Sequence, residues 1–289
     1  SRPPKTSISL TVQTLQEQHI LSTFTFTLPS DVAPQQSWSL YRQLSSLSSP
    51  HDGLITKDVT RTFSDHILFS SQSKKDSFNN KRGRQSLADI CRAYSHLVPQ
   101  LGYCQGISFL VAILLMYMEA EDAFWVLVCM LQHPRFALRG FFTLGFPLLE
   151  EYTYIIKGLL AQLDARVARK LADLDFNFSL CLPQWFMGLF VYVMPLNVGL
   201  RIWDILFFEG IKVLFRTSIQ MVLHNRKQIL SCNELDELNM VMARLTRDTT
   251  MFDSADKFIE KVNNVAIKSE QILQLRRQYR AKHPEIAAQ

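Results

Sequence analysis

The stretch "GYCQGISFLVAILLMYM", from Gly102 to Met118, carries the strongest fold signal in the chain. Its apolar part begins at Ile107 and would span about 18 Å as an α-helix, which is too short for a hydrocarbon core of about 30 Å. We therefore predict a buried core helix, preceded by a turn that contains Gly102 and Gly106.

The sequence on either side of this stretch also has the pattern of helices. Apolar residues recur at helical spacing after Ser86, Glu119, Pro147 and Pro195. Pro183 is expected to begin a helix that runs to Pro195, because the first turn of a helix does not need the missing N–H group. No alternation of strands and helices follows residue 50, so we predict an all-α fold.

The chain is expected to have three parts. Residues 1–37 form a divergent N-terminal extension with strand-like alternation, and residues 38–267 form the helical domain, with a first lobe ending near residue 135. A polar helix is expected within residues 268–289. The polar stretch 70–84 is expected to be a mobile surface loop.

Composition and motifs exclude several classes of function. The net charge is +5, hydrophobic residues make up 47% of the chain, and the five cysteines are scattered without CxxC spacing. We find no glycine-rich phosphate-binding loop, no metal-binding cluster, no nucleic-acid-binding motif and no signal peptide pattern. We therefore expect a cytoplasmic protein with reduced thiols that does not bind nucleic acid, a metal or a nucleotide of its own.

One candidate motif is "ITKDVTRTF", from Ile55 to Phe63. If Asp58 and Arg61 lie on one helical turn, they are i, i+3 neighbours and can form an ion pair. Taken alone, this would be a surface pair that contributes about 0–1 kcal/mol.

A second candidate motif is "LGYCQG", which lies just before the apolar helix. A turn lined by glycines could hold Gln105 so that its side chain points outward. Alternatively, Gly102 and Gly106 serve close packing and Gln105 is an ordinary polar residue. Cys104 has no cationic neighbour in sequence, so we interpret it as a packing thiol rather than a nucleophile.

The two motifs together resemble a known family. The form IxxDxxR ends at Arg61, and the form YxQ within "GYCQG" ends at Gln105, 44 residues later. Further matches follow in order, namely "DAFWVL", "QWF", "RIWDILFFEG" and "LFRTSI". Over roughly residues 38–265 the chain is similar to the TBC domain of Rab GTPase-activating proteins.

The resemblance implies a two-lobed, all-helical fold that binds a GTP-bound Rab GTPase and accelerates its GTP hydrolysis. By this resemblance Arg61 is an arginine finger and Gln105 a glutamine finger, both acting in trans. The chain would not be an enzyme by itself, and it would need no cofactor, because Mg²⁺ and GTP are carried by the Rab. Recruitment to endomembranes would follow from Rab binding.

The same resemblance assigns supporting roles around the two fingers. Asp58 would aim the arginine, and Ile55 would pack inward. Tyr103 would position the glutamine turn, in which Gly102 and Gly106 are the flanking glycines.

The sequence departs from the family in two ways that matter. The family's RxxxW motif is not found in residues 1–53, so a catalytically weak Rab-binding scaffold is the alternative function. The stretch 70–84 is unusually basic, and it could steer an acidic Rab surface or membrane headgroups, or be an ordinary solvated loop. Its cations are Lys74, Lys75, Lys81, Arg82 and Arg84.

Overall fold

The chain divides into two compact units between Phe142 and Thr143. The sequence had suggested a division near residue 135. The structure is a computed structural model that describes residues 37–70, 78–136, 138–246 and 249–284. Within these ranges the regular structure consists of α-helices and short 3-10 helices without a strand. The predicted all-α class is therefore confirmed, and the strand-like segments before residue 37 lie outside the described residues.

The first unit is built around one central helix. Its helices are α1 (Ser37–Ser46), α2 (Asp52–Arg61), α3 (Phe78–Leu97), α4 (Ile107–Leu115) and α5 (Ala120–Gln132). Helix α3 packs against each of the other four. Its side chains Leu87, Ile90 and Tyr94, which share one face, are fully buried. The core of this unit therefore surrounds α3.

The beginning of α3 corrects the prediction for the basic stretch. The helix begins at Phe78 instead of Ser86, so the predicted surface loop is wrong for residues 78–84, while residues 71–77 lie outside the described part. Lysine, arginine and glutamine are good helix formers, which lets the helix extend into polar sequence. Gly83 also permits close packing, because a Cβ atom there would lie 2.2 Å from the carbonyl oxygen of Leu68.

Helix α4 is the predicted core helix. It ends at Leu115, and seven of its side chains are buried, namely Ile107, Ser108, Leu110, Val111, Ala112, Ile113 and Leu114. Among the described residues, no helix combines the length and the apolar character needed to cross a membrane. The prediction of a buried helix is confirmed.

The second unit is built around helix α6. Its helices are α6 (Pro147–Leu163), α7 (Ala165–Asp173), α8 (Leu182–Phe186), α9 (Leu196–Glu209), α10 (Lys212–His224), α11 (Arg226–Ser231), α12 (Leu235–Arg244), α13 (Ala255–Asn263) and α14 (Ser269–Lys282). Helix α6 packs against α7, α8, α10 and α14. In its core the ring of Tyr152 contacts Phe186 and Phe215, at centroid distances of 5.2 and 4.8 Å.

The helix predicted from Pro183 to Pro195 is wrong beyond its first turns. Helix α8 ends at Phe186, and the backbone then turns through Leu189 and Phe190, which have φ angles of 46° and 68°. Both side chains are fully buried. The indole N–H of Trp203 donates to the Leu189 carbonyl at 3.2 Å. In a helix this carbonyl would accept from a backbone N–H, whereas here a side chain distant in sequence supplies the donor.

A helix is present where the polar C-terminal helix was predicted, and it packs on α6 as α14. The fully buried carboxylate of Glu151 accepts hydrogen bonds from Arg276 Nε at 2.7 Å and from Arg280 Nε at 2.8 Å. A carboxylate without solvent is stable only when its charge is paired. Helix α14 is therefore an integral part of the second unit.

Candidate functional site

Arg61 is the last residue of α2, and its side chain is half-exposed. The inner face of α2 buries Ile55, Asp58 and Val59, and the inward packing predicted for Ile55 is confirmed. The side chain of Arg61 is 49% exposed. The amphipathic pattern of a ten-residue helix thus places one arginine at the edge of the first unit, within reach of a partner.

The carboxylate of Asp58 connects the two sequence motifs. Its Oδ1 atom lies 2.5 Å from Arg61 Nη2, which confirms the predicted i, i+3 ion pair. Its Oδ2 atom accepts a 2.7 Å hydrogen bond from the hydroxyl of Tyr103, 45 residues along the chain. Asp58 is only 5% exposed whereas the Arg61 side chain is 49% exposed, so the ion pair is partly buried and differs from the fully exposed surface pair that the sequence alone allowed.

Gln105 lies in the loop before α4 and is exposed. Gly102 has a φ of 62°, and a Cβ atom there would lie 2.5 Å from Nε2 of His51. Gly106 caps the start of α4 with a φ of 102°. Both glycines are therefore required by the backbone of the loop that presents Gln105, and Gly102 also serves close packing.

The thiols next to this loop are poor nucleophiles. Burial raises the pKa of the Cys104 thiol, and the Asp58 carboxylate raises it further. Burial also raises the pKa of Cys91, which lies close to Asp58 and Tyr103. These causes favour the protonated thiol, which agrees with the interpretation of Cys104 as a packing residue.

Sequence reasoning missed a second connection between the motifs. The hydroxyl oxygens of Thr62 and Ser108 lie 2.9 Å apart, and both residues are fully buried. Thr62 is the residue that follows Arg61, and Ser108 lies in the first turn of α4. The available signal was a serine within an otherwise apolar run.

The structure brings the predicted site residues together in the first unit. Helix α2 packs against α4, and the Asp58–Tyr103 bond joins the arginine motif to the glutamine loop. In the described residues, no group of histidine, cysteine and acidic side chains could hold a metal ion. The site therefore consists of an exposed arginine and an exposed glutamine on a buried, hydrogen-bonded frame.

A family model identifies the class of this chain. The Rab-GTPase-TBC domain model matches residues 27–230, so the chain belongs to this family. The family suggested by the two motifs is therefore confirmed.

Two curated relatives illustrate the similarity. The Ecotropic viral integration site 5 protein homolog of Homo sapiens is 29% identical over 240 residues, which cover 83% of this chain and 28% of that protein. Growth hormone-regulated TBC protein 1-A of Danio rerio is 30% identical over 213 residues, which cover 72% of this chain and 56% of that protein. The chain thus spans between about a quarter and just over half of the length of these relatives.

Solved structures agree with the fold. The Chlamydomonas flagellar RabGAP TBC domain superposes with a TM-score of 0.62 at 22% identity, over 91% of this chain and 80% of that one. The Ypt/Rab-GAP domain of Gyp1p superposes with a TM-score of 0.58 at 15% identity, over 92% and 81% of the two chains. At this level of identity the likeness shows that the all-α fold is that of TBC domains.

Proposed function

We propose that this chain is a GTPase-activating protein that accelerates GTP hydrolysis by a Rab GTPase. The single observation that carries the proposal is the buried Asp58 carboxylate, which contacts both Arg61 and Tyr103. One buried group thereby links the exposed arginine to the loop of the exposed glutamine. Family membership supports a Rab as the partner.

Arg61 is suited to act as an arginine finger. The transition state of phosphoryl transfer spreads negative charge over the phosphate oxygens, and a guanidinium supplied in trans accelerates such reactions by about 10³–10⁵. This corresponds to about 4–7 kcal/mol of transition-state stabilisation. A guanidinium has five N–H donors, so pairing with Asp58 through Nη2 leaves donors for phosphate oxygens.

Gln105 is suited to orient the attacking water. Its amide has both donors and an acceptor, so it can hold a water and a phosphate oxygen at the same time. The loop that carries it turns at Gly102 and Gly106, whose φ angles of 62° and 102° favour glycine. In this proposal the Rab carries GTP and Mg²⁺ as the substrate.

The test is single-turnover GTP hydrolysis across a panel of GTP-loaded Rabs. Wild type should accelerate at least one Rab by orders of magnitude, and Arg61→Ala and Gln105→Ala should each abolish most of this acceleration. The matched control is Arg201→Ala, in the second unit, because Arg201 is also half-exposed and paired with an aspartate, Asp256. The Arg201→Ala variant should accelerate GTP hydrolysis by the Rab as much as wild type does.

Two outcomes would contradict the proposal. If wild type binds a GTP-loaded Rab but accelerates none, the chain is a Rab-binding scaffold, which is the function favoured by the missing RxxxW motif. If the Arg61→Ala and Arg201→Ala variants are equally active, the arginine finger lies elsewhere.

A further inference from the structure

Two buried hydroxyl groups lie directly beside the proposed fingers. Thr62 follows Arg61 and ends α2, whereas Ser108 lies in the first turn of α4, just beyond the loop of Gln105. Their oxygens are 2.9 Å apart although the residues are separated by 46 positions. Both residues are fully buried, so water cannot substitute for either partner.

The Thr62 hydroxyl contacts two oxygen atoms on different segments. Thr62 Oγ1 lies 2.6 Å from the backbone carbonyl oxygen of Asp58, and a carbonyl can only accept. The Thr62 hydroxyl is placed to donate both to this carbonyl and to the hydroxyl oxygen of Ser108 at 2.9 Å, so its proton is shared between the two acceptors. Tyr103 donates to the carboxylate of the same Asp58.

The two hydrogen bonds, Tyr103 to Asp58 and Thr62 to Ser108, involve residues on both sides of each proposed finger in the sequence. Asp58 and Thr62 lie on either side of Arg61, and Tyr103 and Ser108 lie on either side of Gln105. Helix α2 is held by packing against α3 and α4, with Ile55 and Val59 buried, and the two hydrogen bonds act within that packing. Together they fix which part of α2 faces the glutamine loop, on both sides of each proposed finger in the sequence.

We propose that Thr62 and Ser108 are positioning residues that hold Arg61 in register with Gln105. They touch neither GTP nor the Rab, and they act through the two finger residues. This inference rests on the proposed GTPase-activating function, because it concerns the geometry of that site.

The experiment measures single-turnover hydrolysis of a Rab that wild type activates, at a series of activator concentrations, so that kcat and KM are obtained separately. Thr62→Val and Ser108→Ala should each lower kcat by roughly tenfold or more, since small misplacements of catalytic groups cost up to about a hundredfold. KM should change less than about twofold, because no exposed side chain is altered. The double variant should be no worse than the poorer single variant, and Thr62→Ser should restore kcat.

Matched controls come from the second unit. Thr217→Val and Ser218→Ala make the same chemical changes at residues that are also fully buried. Both variants should keep the wild-type kcat. If they lower it as far as Thr62→Val does, the effect reflects general loss of stability and the inference is overturned.

Other outcomes also decide the matter. Three results would overturn the inference while the proposed function stands. They are a folded Thr62→Val variant with wild-type kcat, an effect that is confined to KM, and failure of Thr62→Ser to restore kcat. If Thr62→Val does not fold, the kcat of the Ser108→Ala variant tests the inference instead, because this variant keeps the bond from Thr62 to the Asp58 carbonyl. If wild type activates no Rab, the proposed function fails and this inference fails with it.

Discussion

The hydroxyl of Tyr103 donates a 2.7 Å hydrogen bond to the buried carboxylate of Asp58, and this bond joins two segments that are 45 residues apart. The other carboxylate oxygen holds Arg61. The resemblance implied that Tyr103 would position the glutamine turn, and this role stays a prediction. The strength of the bond can be measured directly.

We expect Tyr103→Phe to lower the free energy of unfolding of the first unit by about 1–3 kcal/mol, because Asp58 loses a donor in a site without water. We also expect the activated hydrolysis rate to fall by roughly tenfold as Arg61 loses its fixed support. Urea denaturation and single-turnover kinetics measure the two effects. The control is Tyr117→Phe, since Tyr117 is 67% exposed, and it should change stability by less than about 0.5 kcal/mol. Equal stability of the two variants would refute this prediction.

Arg61→Lys should restore little of the activity that is lost in Arg61→Ala. Lysine keeps the positive charge, but its ammonium lacks the planar donors that can contact Asp58 and phosphate oxygens together. We expect the rate to remain below about one hundredth of the wild-type value. The measurement is single-turnover hydrolysis at saturating activator. A rate near that of wild type would show that charge alone suffices.

The pairing of Glu151 with helix α14 predicts a large effect on stability. The double variant Arg276→Ala with Arg280→Ala should destabilise the second unit by about 3–5 kcal/mol, because it leaves a fully buried carboxylate unpaired. Adding Glu151→Gln should recover part of this loss, since the amide carries no charge. Denaturant unfolding of the full chain measures these differences.

The control for this experiment is Arg277→Ala, which removes an exposed arginine from the same helix. It should change the free energy of unfolding by less than about 0.5 kcal/mol. If it matches the double variant, the charge pairing is not the cause. The family model ends at residue 230, so these variants also test whether residues beyond the match belong to the folded unit.

Acid should weaken the start of α2 through Asp52. The backbone N–H of Ser49 at 2.9 Å and the guanidinium of Arg92 at 2.7 Å lower the pKa of the Asp52 carboxyl below its usual value. Because the folded state favours the ionised form, this contribution is present above the unfolded pKa of about 3.9. It is lost as pH falls through the lower, folded pKa.

The measurement for Asp52 is the free energy of unfolding as a function of pH. Asp52→Asn should be less stable than wild type near neutral pH, and the difference should narrow as pH falls below about 4. Parallel curves for the two proteins would show that Asp52 gains nothing from its partners.

The sequence predicted those features that depend on neighbours along the chain. The ion pair of Asp58 and Arg61 followed from i, i+3 spacing, and the inward packing of Ile55 followed from the period of the same helix. The apolar run at Ile107 predicted a buried core helix, and α4 is that helix. The order of the two motifs indicated the family that the comparison then showed.

Helix boundaries were less accurate where packing overrides local preference. Helix α3 begins at Phe78, and its Gly83 lies close to the Leu68 backbone, a contact that no local pattern reveals. The segment after Phe186 leaves the helix because Trp203 supplies a donor for its backbone. In both places the deciding partner is remote in sequence.

The amino-acid sequence by itself therefore determined the all-α class, the family and the identity of the two candidate fingers, since these depend on periodicity and on short motifs. Only the tertiary structure decided how Arg61 and the loop of Gln105 are held. The bonds of Asp58 to Tyr103 and of Thr62 to Ser108 each span some 45 residues, and they form only when α2 and α4 pack together and exclude water. Burial is what makes these bonds specific, because without water each polar group must find its partner in the fold.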